Sequence, residues 1–248
     1  MPSIPASRTV DSTTELKSRF LEGIGPLDRK AILAAAKPRH FRASSIIANQ
    51  GNPADYLYLL ARGRARYFFT TEDGRKLLLM WLSPGEVFGA SALLAIPSSY
   101  LASTETVKDS HILVWDRSTV RELAARYPRL MENALLTASD YLAWYVAAHV
   151  ALTSHSARER LGGVVICLAG LIGRKVSGGL EFDATNEELA SAANITPFTA
   201  SRFLSEWQRN RAVVKRRGKI LLCSREKLLP SSFSASSISN TKINREAR

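Results

Sequence analysis

The sequence predicts an α+β fold in which an antiparallel β jelly-roll sandwich comes first, one long helix follows, and a small helical domain with a β-wing closes the chain. Three observations lead to this prediction. Short β-rich runs fill the first half of the 248 residues, apolar residues then recur at helical spacing, and a basic strand pair follows two short capped helices. With 46% hydrophobic residues, the composition is that of a folded protein.

The β region is expected to run from Phe41 to Trp115. Its runs are SIIANQ, YLYLLARGRARYFFTT, RKLLLMWL, VFGASALL and YLASTETVKDSHILVW, and the turn signals GNPAD, EDG and SPGE lie between them. Before it, ELKSRFLEGI is typical of a short amphipathic helix, and after it DRSTVRELAARYP predicts a helix that Pro128 ends. We therefore assign residues 1–27 to an N-terminal arm and residues 28–127 to a first domain.

A long helix with a hinge at its end is predicted over residues 128–155. Apolar residues at alternating spacings of four and three form a coiled-coil seam: Met131, Leu135, Ala138, Leu142, Tyr145, His149 and Leu152. A second apolar face consists of Leu130, Ala134, Tyr141, Trp144, Ala148 and Ala151. We interpret this helix as a dimerisation spine that packs on its own chain and on a second copy; the alternative is a core helix of a monomer. Asp140 and His149 argue against a membrane span.

Two capping boxes mark the helices that follow the spine. Ser156 is followed three residues later by Glu159, and Thr185 is followed three residues later by Glu188. In such pairs the two side chains satisfy backbone N–H groups at a helix N-terminus. The first box predicts a helix that continues through LGGVVICLAGLI, and the second predicts the short helix NEELASAA. Between them, GRKVSGGLEF is expected to be a loop that leads into a short strand.

A turn and another capped helix come next. Asn194 and Ile195 form the turn, and Thr196 is the expected N-cap. Pro197 then takes the first helical position, where the N–H that proline lacks would have no partner anyway. The inward face of this helix consists of Ala200, Phe203, Leu204 and Trp207, and the outward face of Phe198, Ser201, Arg202, Ser205 and Arg209. Two short capped helices joined by a turn predict a helix-turn-helix.

The segment VVKRRGKILL predicts a basic β-wing that turns at Arg217 and Gly218. Residues 196 to 228 contain nine cationic and only two acidic side chains, which gives this segment a net charge of +7 out of the chain's +12. The cations are Arg202, Arg209, Arg211, Lys215, Arg216, Arg217, Lys219, Arg225 and Lys227. Such a cluster beside a helix-turn-helix favours contact with DNA phosphates; the alternative is a solvated surface on a protein-binding winged helix. We assign residues 156–229 to this domain and the Ser-rich residues 230–248 to a disordered tail.

The order sandwich, long helix, winged helix-turn-helix resembles the CRP/FNR superfamily of bacterial transcription regulators over about residues 30–228. The segments GNPADYLYLLARGR, LSPGEVFGASALL and NEELASAANITPFTASRFLSEWQRN carry the resemblance. It implies a cyclic-nucleotide-binding-like sensor domain, and a cytoplasmic homodimer that binds pseudo-palindromic double-stranded DNA and no membrane. It also implies a possible contact with RNA polymerase, with Glu72, Asp73 and residues 174–179 as candidate surfaces.

The resemblance also identifies the residues expected to contact DNA: Thr196, Pro197, Phe198, Thr199, Ser201, Arg202, Ser205, Arg209, Arg216, Arg217 and Lys219. The recognition helix of relatives usually starts with a polar pair, which Pro197 and Phe198 replace here. The arginine one turn later is retained as Arg202, the candidate for a bidentate contact with a guanine. Phe198 is placed to touch a thymine methyl group. We therefore expect DNA reading with fewer polar contacts and a different half-site.

The residues that align with the nucleotide pocket of relatives are Gly89, Ala90, Ser91, Tyr100, Leu101 and Ala102. Relatives that bind a cyclic nucleotide have a glutamate, an arginine and a hydroxyl residue where this chain has Ala90, Tyr100 and Leu101. Since the groups that would bind ribose and phosphate are missing, control by cyclic AMP is not expected. An unidentified small ligand and the absence of any diffusible ligand both stay open.

Other cofactors and an enzymatic role are not expected. The chain has two cysteines, Cys167 and Cys223, too few for an iron–sulfur cluster, and its four histidines stand singly, which disfavours haem. A cupin-like enzyme would need clustered metal ligands, but the β region has only His40 and His111, and no metal site is predicted. The exposed thiol expected at Cys223 is either redox-sensitive or merely a small strand residue. Few cysteines and an N-terminus without an apolar core indicate a cytoplasmic protein.

Overall fold

The computed structural model describes residues 16–216 and 218–228, which form two compact units that divide after Ser139, inside the long helix. The helices are α1 (Pro26–Ala34), α2 (Arg117–Arg126), α3 (Arg129–Ser154), α4 (Ala157–Ile172), α5 (Asn186–Ala192) and α6 (Pro197–Arg209). The strands are β1 (Lys37–Phe41), β2 (Ile46–Ala48), β3 (Tyr56–Thr70), β4 (Lys76–Leu82), β5 (Val87–Phe88), β6 (Ser103–Asp116), β7 (Arg174–Val176), β8 (Gly179–Asp183), β9 (Val213–Arg216) and β10 (Lys219–Leu222).

The first unit is built on an antiparallel sheet with the order β1-β6-β3-β4, in which β2 also pairs with β6 and β5 pairs with β3. The two longest strands, β3 and β6, lie side by side, from the pair Tyr56 and Asp116 to the pair Phe68 and Ser103. The expected order of an antiparallel β domain, a long helix and a C-terminal helix-turn-helix is therefore confirmed.

Irregular pairing bends the centre of this sheet. The register between β3 and β6 shifts repeatedly between Leu60 and Ala65. Gly63 lies within this stretch at a φ of 106°, and a Cβ at this position would come within 2.6 Å of the Cα of Ser110. Both the backbone angle and the lack of space require glycine here.

An apolar cluster joins the sheet to the helices of the first unit. At its centre lies Trp115, 1% exposed, whose indole N–H donates to the carbonyl oxygen of Ile32 at 2.9 Å. The start of α3 belongs to the same cluster through Leu130 and Ala134. The amide of the buried Asn133 donates to two carbonyls of the N-terminal segment, at 3.0 and 2.8 Å. The first turns of α3 are thereby fixed to this unit.

The N-terminal residues differ from the sequence prediction. The amphipathic helix expected over ELKSRFLEGI is wrong in its described part, where Arg19–Leu21 form a single turn of 3₁₀ helix. Phe20 and Leu21 are each 1% exposed, so this part of the expected arm belongs to the core of the first unit. Helix α1 and strands β1 and β7 were not predicted. The rest of the arm and the expected tail, residues 1–15 and 229–248, lie outside the described residues.

The N-cap of α2 gives a test of this fold. The Asp116 carboxylate accepts a 2.9 Å hydrogen bond from the N–H of Thr119 and a 2.8 Å bond from the hydroxyl of Ser118. These bonds hold the pKa of Asp116 well below its ordinary value. We expect Asp116→Ala to lower the free energy of unfolding by about 1 kcal/mol in urea denaturation at neutral pH.

The pH dependence follows from the sign of the pKa shift. Because the folded-state pKa of Asp116 is lowered, its stabilising effect is present above the ordinary pKa of an aspartate and is lost as the pH falls below it. The stability difference between wild type and Asp116→Ala should therefore shrink in acid. Asp116→Asn keeps a capping acceptor but not the charge, so its stability at neutral pH should lie between those of wild type and Asp116→Ala. An equal loss in both variants would contradict the capping role.

Candidate nucleic-acid interface

The first helix of the helix-turn-helix, α5, forms as the sequence predicts. Both bonds of its capping box are present: the N–H of Glu188 donates to Thr185 Oγ1 at 3.1 Å, and the N–H of Thr185 donates to the Glu188 carboxylate at 2.8 Å. Leu189, Ala190 and Ala193 are at most 2% exposed, which confirms their inward position. The capping box between Ser156 and Glu159 is also present at the start of α4.

The turn between α5 and α6 has a defined hydrogen-bonding pattern. Asn194 adopts a left-handed φ of 48°. Its N–H donates to the carbonyl of Ser191 at 3.2 Å, and the N–H of Ile195 donates to the carbonyl of Ala190 at 3.0 Å. This is a Schellman motif, in which asparagine takes the position that glycine usually holds. The turn is therefore fixed by backbone bonds before α6 begins.

Helix α6 is capped and anchored as expected. Thr196 Oγ1 accepts a 3.1 Å hydrogen bond from the N–H of Thr199, and Pro197 occupies the first helical position. Ala200, Leu204 and Trp207 are fully buried. The ring of the half-buried Phe203 stacks on that of Trp207, with the centroids 6.3 Å apart. One face of α6 thus packs in the core of the second unit.

The opposite face of α6 is open to solvent. Phe198 is 79% exposed, Thr196, Pro197, Arg202, Ser205 and Arg209 are exposed, and Thr199 and Ser201 are half-buried. The Arg202 guanidinium group lies 5.1 Å from the centroid of the Phe203 ring, a distance typical of a cation–π contact. The structure therefore brings the candidate residues of α6 together along one accessible side.

The wing forms beside this helix. The second unit contains a sheet with the order β7-β8-β10-β9, and Arg216 in β9 pairs with Lys219 in β10 across a turn at Gly218. Arg217, the third candidate residue of the wing, lies outside the described residues. The expected loop over residues 174–179 is instead largely the hairpin of β7 and β8.

One carboxylate that sequence reasoning missed lies among the cations of this sheet. Glu181 in β8 accepts a 3.2 Å hydrogen bond from Lys219 and lies 3.4 Å from Arg174 and 3.7 Å from Arg216. The hydrogen bond from Lys219 and the charges of Arg174 and Arg216 hold the pKa of Glu181 below its ordinary value. Two of the three wing cations predicted to contact DNA, Arg216 and Lys219, are thus paired with a carboxylate in this structure.

The candidate pocket residues of the first unit do not point the same way. Gly89 has a φ of 78°, and a Cβ there would come within 2.7 Å of the carbonyl oxygen of Tyr56. Tyr100 is 8% exposed, whereas Leu101 is 85% exposed. Ala90, Ser91 and Ala102 are half-buried. Tyr100 thus points inward and its neighbour Leu101 points into solvent.

The hydroxyl of Tyr100 is engaged by the strand β3. It donates to the carbonyl oxygen of Tyr56 at 2.9 Å and accepts from the N–H of the same residue at 3.0 Å. Nearby, the rings of Tyr58 and Phe88 stack with their centroids 4.9 Å apart. Burial raises the pKa of Tyr58 and of Tyr100, so both hydroxyls stay protonated at neutral pH. The inward-pointing Tyr100 is thus hydrogen-bonded to the backbone of β3 and lies near an aromatic ring.

The seam of α3 is exposed along its whole length. Leu135 and Leu142 are 71% and 65% exposed, and the other five positions, Met131, Ala138, Tyr145, His149 and Leu152, are exposed as well. The second apolar face is buried or half-buried, with Leu130, Ala134 and Ala151 at most 6% exposed. The two faces of the helix therefore differ as the sequence pattern predicts.

Cys223 is exposed and Cys167 is half-buried. Among the described residues, no group of three or more His, Cys, Asp or Glu side chains is placed to hold a metal ion. Over the same part of the chain, no helix is both long enough and apolar enough to cross a membrane.

Comparisons with known proteins match both parts of the chain. The family model of the cyclic nucleotide-binding domain matches residues 38–127, and that of the Crp-like helix-turn-helix domain matches residues 159–230. The cyclic AMP receptor protein of Thermus thermophilus is 30% identical over 187 residues, covering 75% of this chain and 84% of that protein. The CRP-like cAMP-activated global transcriptional regulator of Mycobacterium tuberculosis is 23% identical over 210 residues, or 84% and 93% of the two chains.

A solved structure shows the same fold. The c-di-GMP responsive global regulator CLP of Xanthomonas campestris aligns with a TM-score of 0.71 at 18% sequence identity, covering 80% of this chain and 99% of that one. The order of the elements described above is thus an established fold.

The cap of α6 can be tested by its effect on stability. Thr196→Val removes the acceptor for the N–H of Thr199 but keeps the size and β-branching of the side chain. We expect the second unit to lose about 1 kcal/mol of unfolding free energy in urea denaturation. Thr199→Val is the matched control, because its N–H still donates to Thr196. A control variant as unstable as Thr196→Val would contradict the capping role.

Proposed function

Because this chain belongs to the CRP/FNR superfamily of transcription regulators, we propose that it acts as a homodimer that places two copies of α6 in successive major grooves of a pseudo-palindromic DNA site. The observation that carries this proposal is the contrast between the two faces of α6. Ala200, Leu204 and Trp207 on its inner face are fully buried. By contrast, Phe198, Arg202 and Ser205 stand on an exposed face. Such a helix can enter a groove without losing its own packing.

Within that groove Arg202 is the proposed base reader. Its guanidinium group is planar and matches the O6 and N7 acceptors of guanine with two parallel hydrogen bonds. Phe198 lies one turn before it on the same face and offers an apolar surface to a thymine methyl group. Arg209, at the last turn of α6, has a long flexible cationic side chain suited to a phosphate. This division of roles predicts different effects on specificity and on affinity.

The wing is proposed to contact the phosphate backbone through Arg216, Lys219 and Arg217. Arg216 and Lys219 share the carboxylate of Glu181, at 3.7 and 3.2 Å. A phosphate group presents the same kind of acceptor as this carboxylate and can replace it. Since such contacts release counterions, binding should weaken as salt rises.

The exposed seam of α3 supports the homodimer. Its leucines and aromatic residues recur on a helix of 26 residues whose opposite face is already used within the chain. Association of two α3 helices along the seam removes this apolar strip from water. A two-fold dimer also gives the two α6 helices the symmetry of a pseudo-palindromic site.

Cyclic AMP is not part of the proposed mechanism, although the names of two relatives mention it. Ala90 and Leu101 supply neither a carboxylate nor a hydroxyl group, and the Tyr100 hydroxyl is bonded to the backbone of Tyr56. A cyclic phosphate would find no cation at these positions. We therefore expect the same DNA affinity with and without cyclic AMP.

The proposed setting is the bacterial cytoplasm, with RNA polymerase as a second partner. Glu72 and Asp73, in the exposed turn between β3 and β4, form the candidate surface for that contact. The conserved role of the superfamily is regulation of transcription rather than catalysis, in agreement with the expected absence of enzymatic activity.

The role of Arg202 is tested by selecting DNA sites from a random pool with the purified protein. Wild type should select two symmetric half-sites that contain guanine. In Arg202→Ala the guanine preference at one position of each half-site should fall by roughly 1 to 3 kcal/mol in binding free energy, because its bidentate contact is lost.

Arg209→Ala serves as the control for charge. It removes the same charge from the same helix, but a phosphate contact carries no sequence information. Its affinity should therefore fall by a similar factor on all sequences. The slope of log affinity against log salt concentration should decrease by about one, as expected for one lost phosphate contact. Loss of base preference in Arg209→Ala, with none in Arg202→Ala, would refute the assignment.

The dimer seam is tested with Leu142→Glu. Two carboxylates placed opposite each other in an apolar seam repel and lose hydration, so we expect sedimentation at micromolar concentration to show a monomer. Leu142 is 65% exposed within one chain, so this variant should fold. Ala143→Glu adds the same charge at an exposed position on another face of α3 and should stay dimeric. A dimeric Leu142→Glu variant would exclude this seam.

A further inference from the structure

Arg160, near the start of α4, bonds to backbone carbonyls from two other places in the second unit. Its Nη1 donates to the carbonyl oxygen of His155 at 2.8 Å, its Nε to that of Ala193 at 2.9 Å, and its Nη2 to that of Asn194 at 3.3 Å. The residue is half-buried. Because the three donors belong to one planar guanidinium group, they hold the three carbonyls in fixed relative positions.

These carbonyls lie at the C-terminal ends of two helices. His155 directly follows α3, and its N–H still bonds to the carbonyl of Ala151 at 3.1 Å. Ala193 is the C-cap of α5. The last carbonyls of a helix lack partners within it and carry the negative end of the helix dipole. A single cation therefore caps α3 and α5 together.

The two helix ends adjoin the two surfaces that the proposed function uses, the dimer seam and the recognition helix. His155 lies three residues beyond Leu152, the last position of the seam, and Asn194 lies two residues before Thr196, the N-cap of α6. Arg160 thus connects the end of the seam to the start of the recognition helix by hydrogen bonds, and not only through the covalent chain.

Helix α4 is also fixed to the far end of α6. Arg158 Nη1 donates to the Glu206 carboxylate at 2.7 Å, and its guanidinium group lies 5.5 Å from the Trp207 ring centroid. These contacts hold α4 and α6 together, but they do not involve α3. Of these two arginines, Arg160 is the one that also bonds to the end of α3.

We propose that Arg160 sets the spacing between half-sites that the dimer accepts. The proposal rests on the function proposed above. In a two-fold dimer the seam fixes the two α3 helices, so a change in the angle between α3 and α6 occurs in both subunits and moves the two recognition helices apart or together. With the guanidinium bonds in place, one spacing of about one DNA turn fits both helices. Without them, each α6 reads its own half-site, but the pair tolerates neighbouring spacings.

The experiment measures the affinity of the full chain for DNA duplexes that carry two selected half-sites separated by different numbers of base pairs. Wild type should prefer one spacing. In Arg160→Met, which keeps much of the side-chain length but has no donors, that preference should fall by about tenfold or more, because three charge-assisted hydrogen bonds are lost. Arg160→Lys keeps the charge but not the planar fork, so its preference should be intermediate.

The ratio of affinities between different spacings distinguishes a change in the position of α6 from a general loss of stability or charge. A variant that is merely less stable, or less positive, binds all spacings more weakly and keeps the ratio between them. Lys175→Met is the matched control, since it removes one charge from an exposed position of strand β7 in the same unit and should keep the wild-type ratio. Base preference within each half-site should not change in any of these variants.

The possible failures are distinguishable. If wild type selects no paired half-sites, the proposed dimeric function is wrong and this inference falls with it. If wild type prefers one spacing and Arg160→Met keeps the same preference, the inference alone is overturned. If Arg160→Met does not fold, Arg160→Lys decides: a wild-type spacing ratio in that variant overturns the role of the guanidinium bonds, and a lower ratio supports it.

Discussion

The apolar seam that α3 exposes is the constraint on which the rest of the molecule depends. Its opposite face is already buried at both ends, by Leu130 and Ala134 near the start and by Ala151 near the end. The helix therefore cannot turn its seam inward without exposing these residues. In the proposed homodimer a second copy of the chain would cover the seam at no such cost. The same helix would then fix the symmetry of the dimer and, through the junction at His155 and Arg160, the position of α6.

In the first unit, polar side chains near the candidate pocket bond to the protein's own backbone. Arg117 is a cation beside the segment that follows Gly89, but its guanidinium group donates to the carbonyls of Ala92, Leu94 and Ala95 at 2.8 to 3.0 Å. Tyr100 is bonded to the backbone of β3. A phosphate ligand that took these donors would have to replace hydrogen bonds that are already made. This supports the expectation that cyclic AMP does not control the protein.

Features that depend on a few neighbouring residues could be predicted from the sequence, and features that depend on distant residues could not. The capping boxes, the start of α6 at Pro197 and the two faces of α3 are local patterns and are present. Strand β1 escaped prediction because it begins with four exposed residues, without the alternation of a half-buried strand. Arg160 and Ala193, and likewise Glu181 and Lys219, are more than 30 residues apart in the sequence, so no local pattern predicts their contacts.

The start of α6, where Pro197 and Phe198 replace the usual polar pair, also follows from a local pattern. Pro197 is favourable at the first helical position, and the Thr196 side chain accepts a hydrogen bond from the N–H of Thr199. The helix therefore needs no charged residue at its start for stability, which leaves Phe198 free to be selected for what it contacts. An exposed phenylalanine costs free energy in water, since its apolar surface is hydrated. In the proposed complex, burial against a thymine methyl group in the major groove would recover that cost, so we expect Phe198 to favour a half-site in which a T·A pair lies beside the guanine proposed for Arg202.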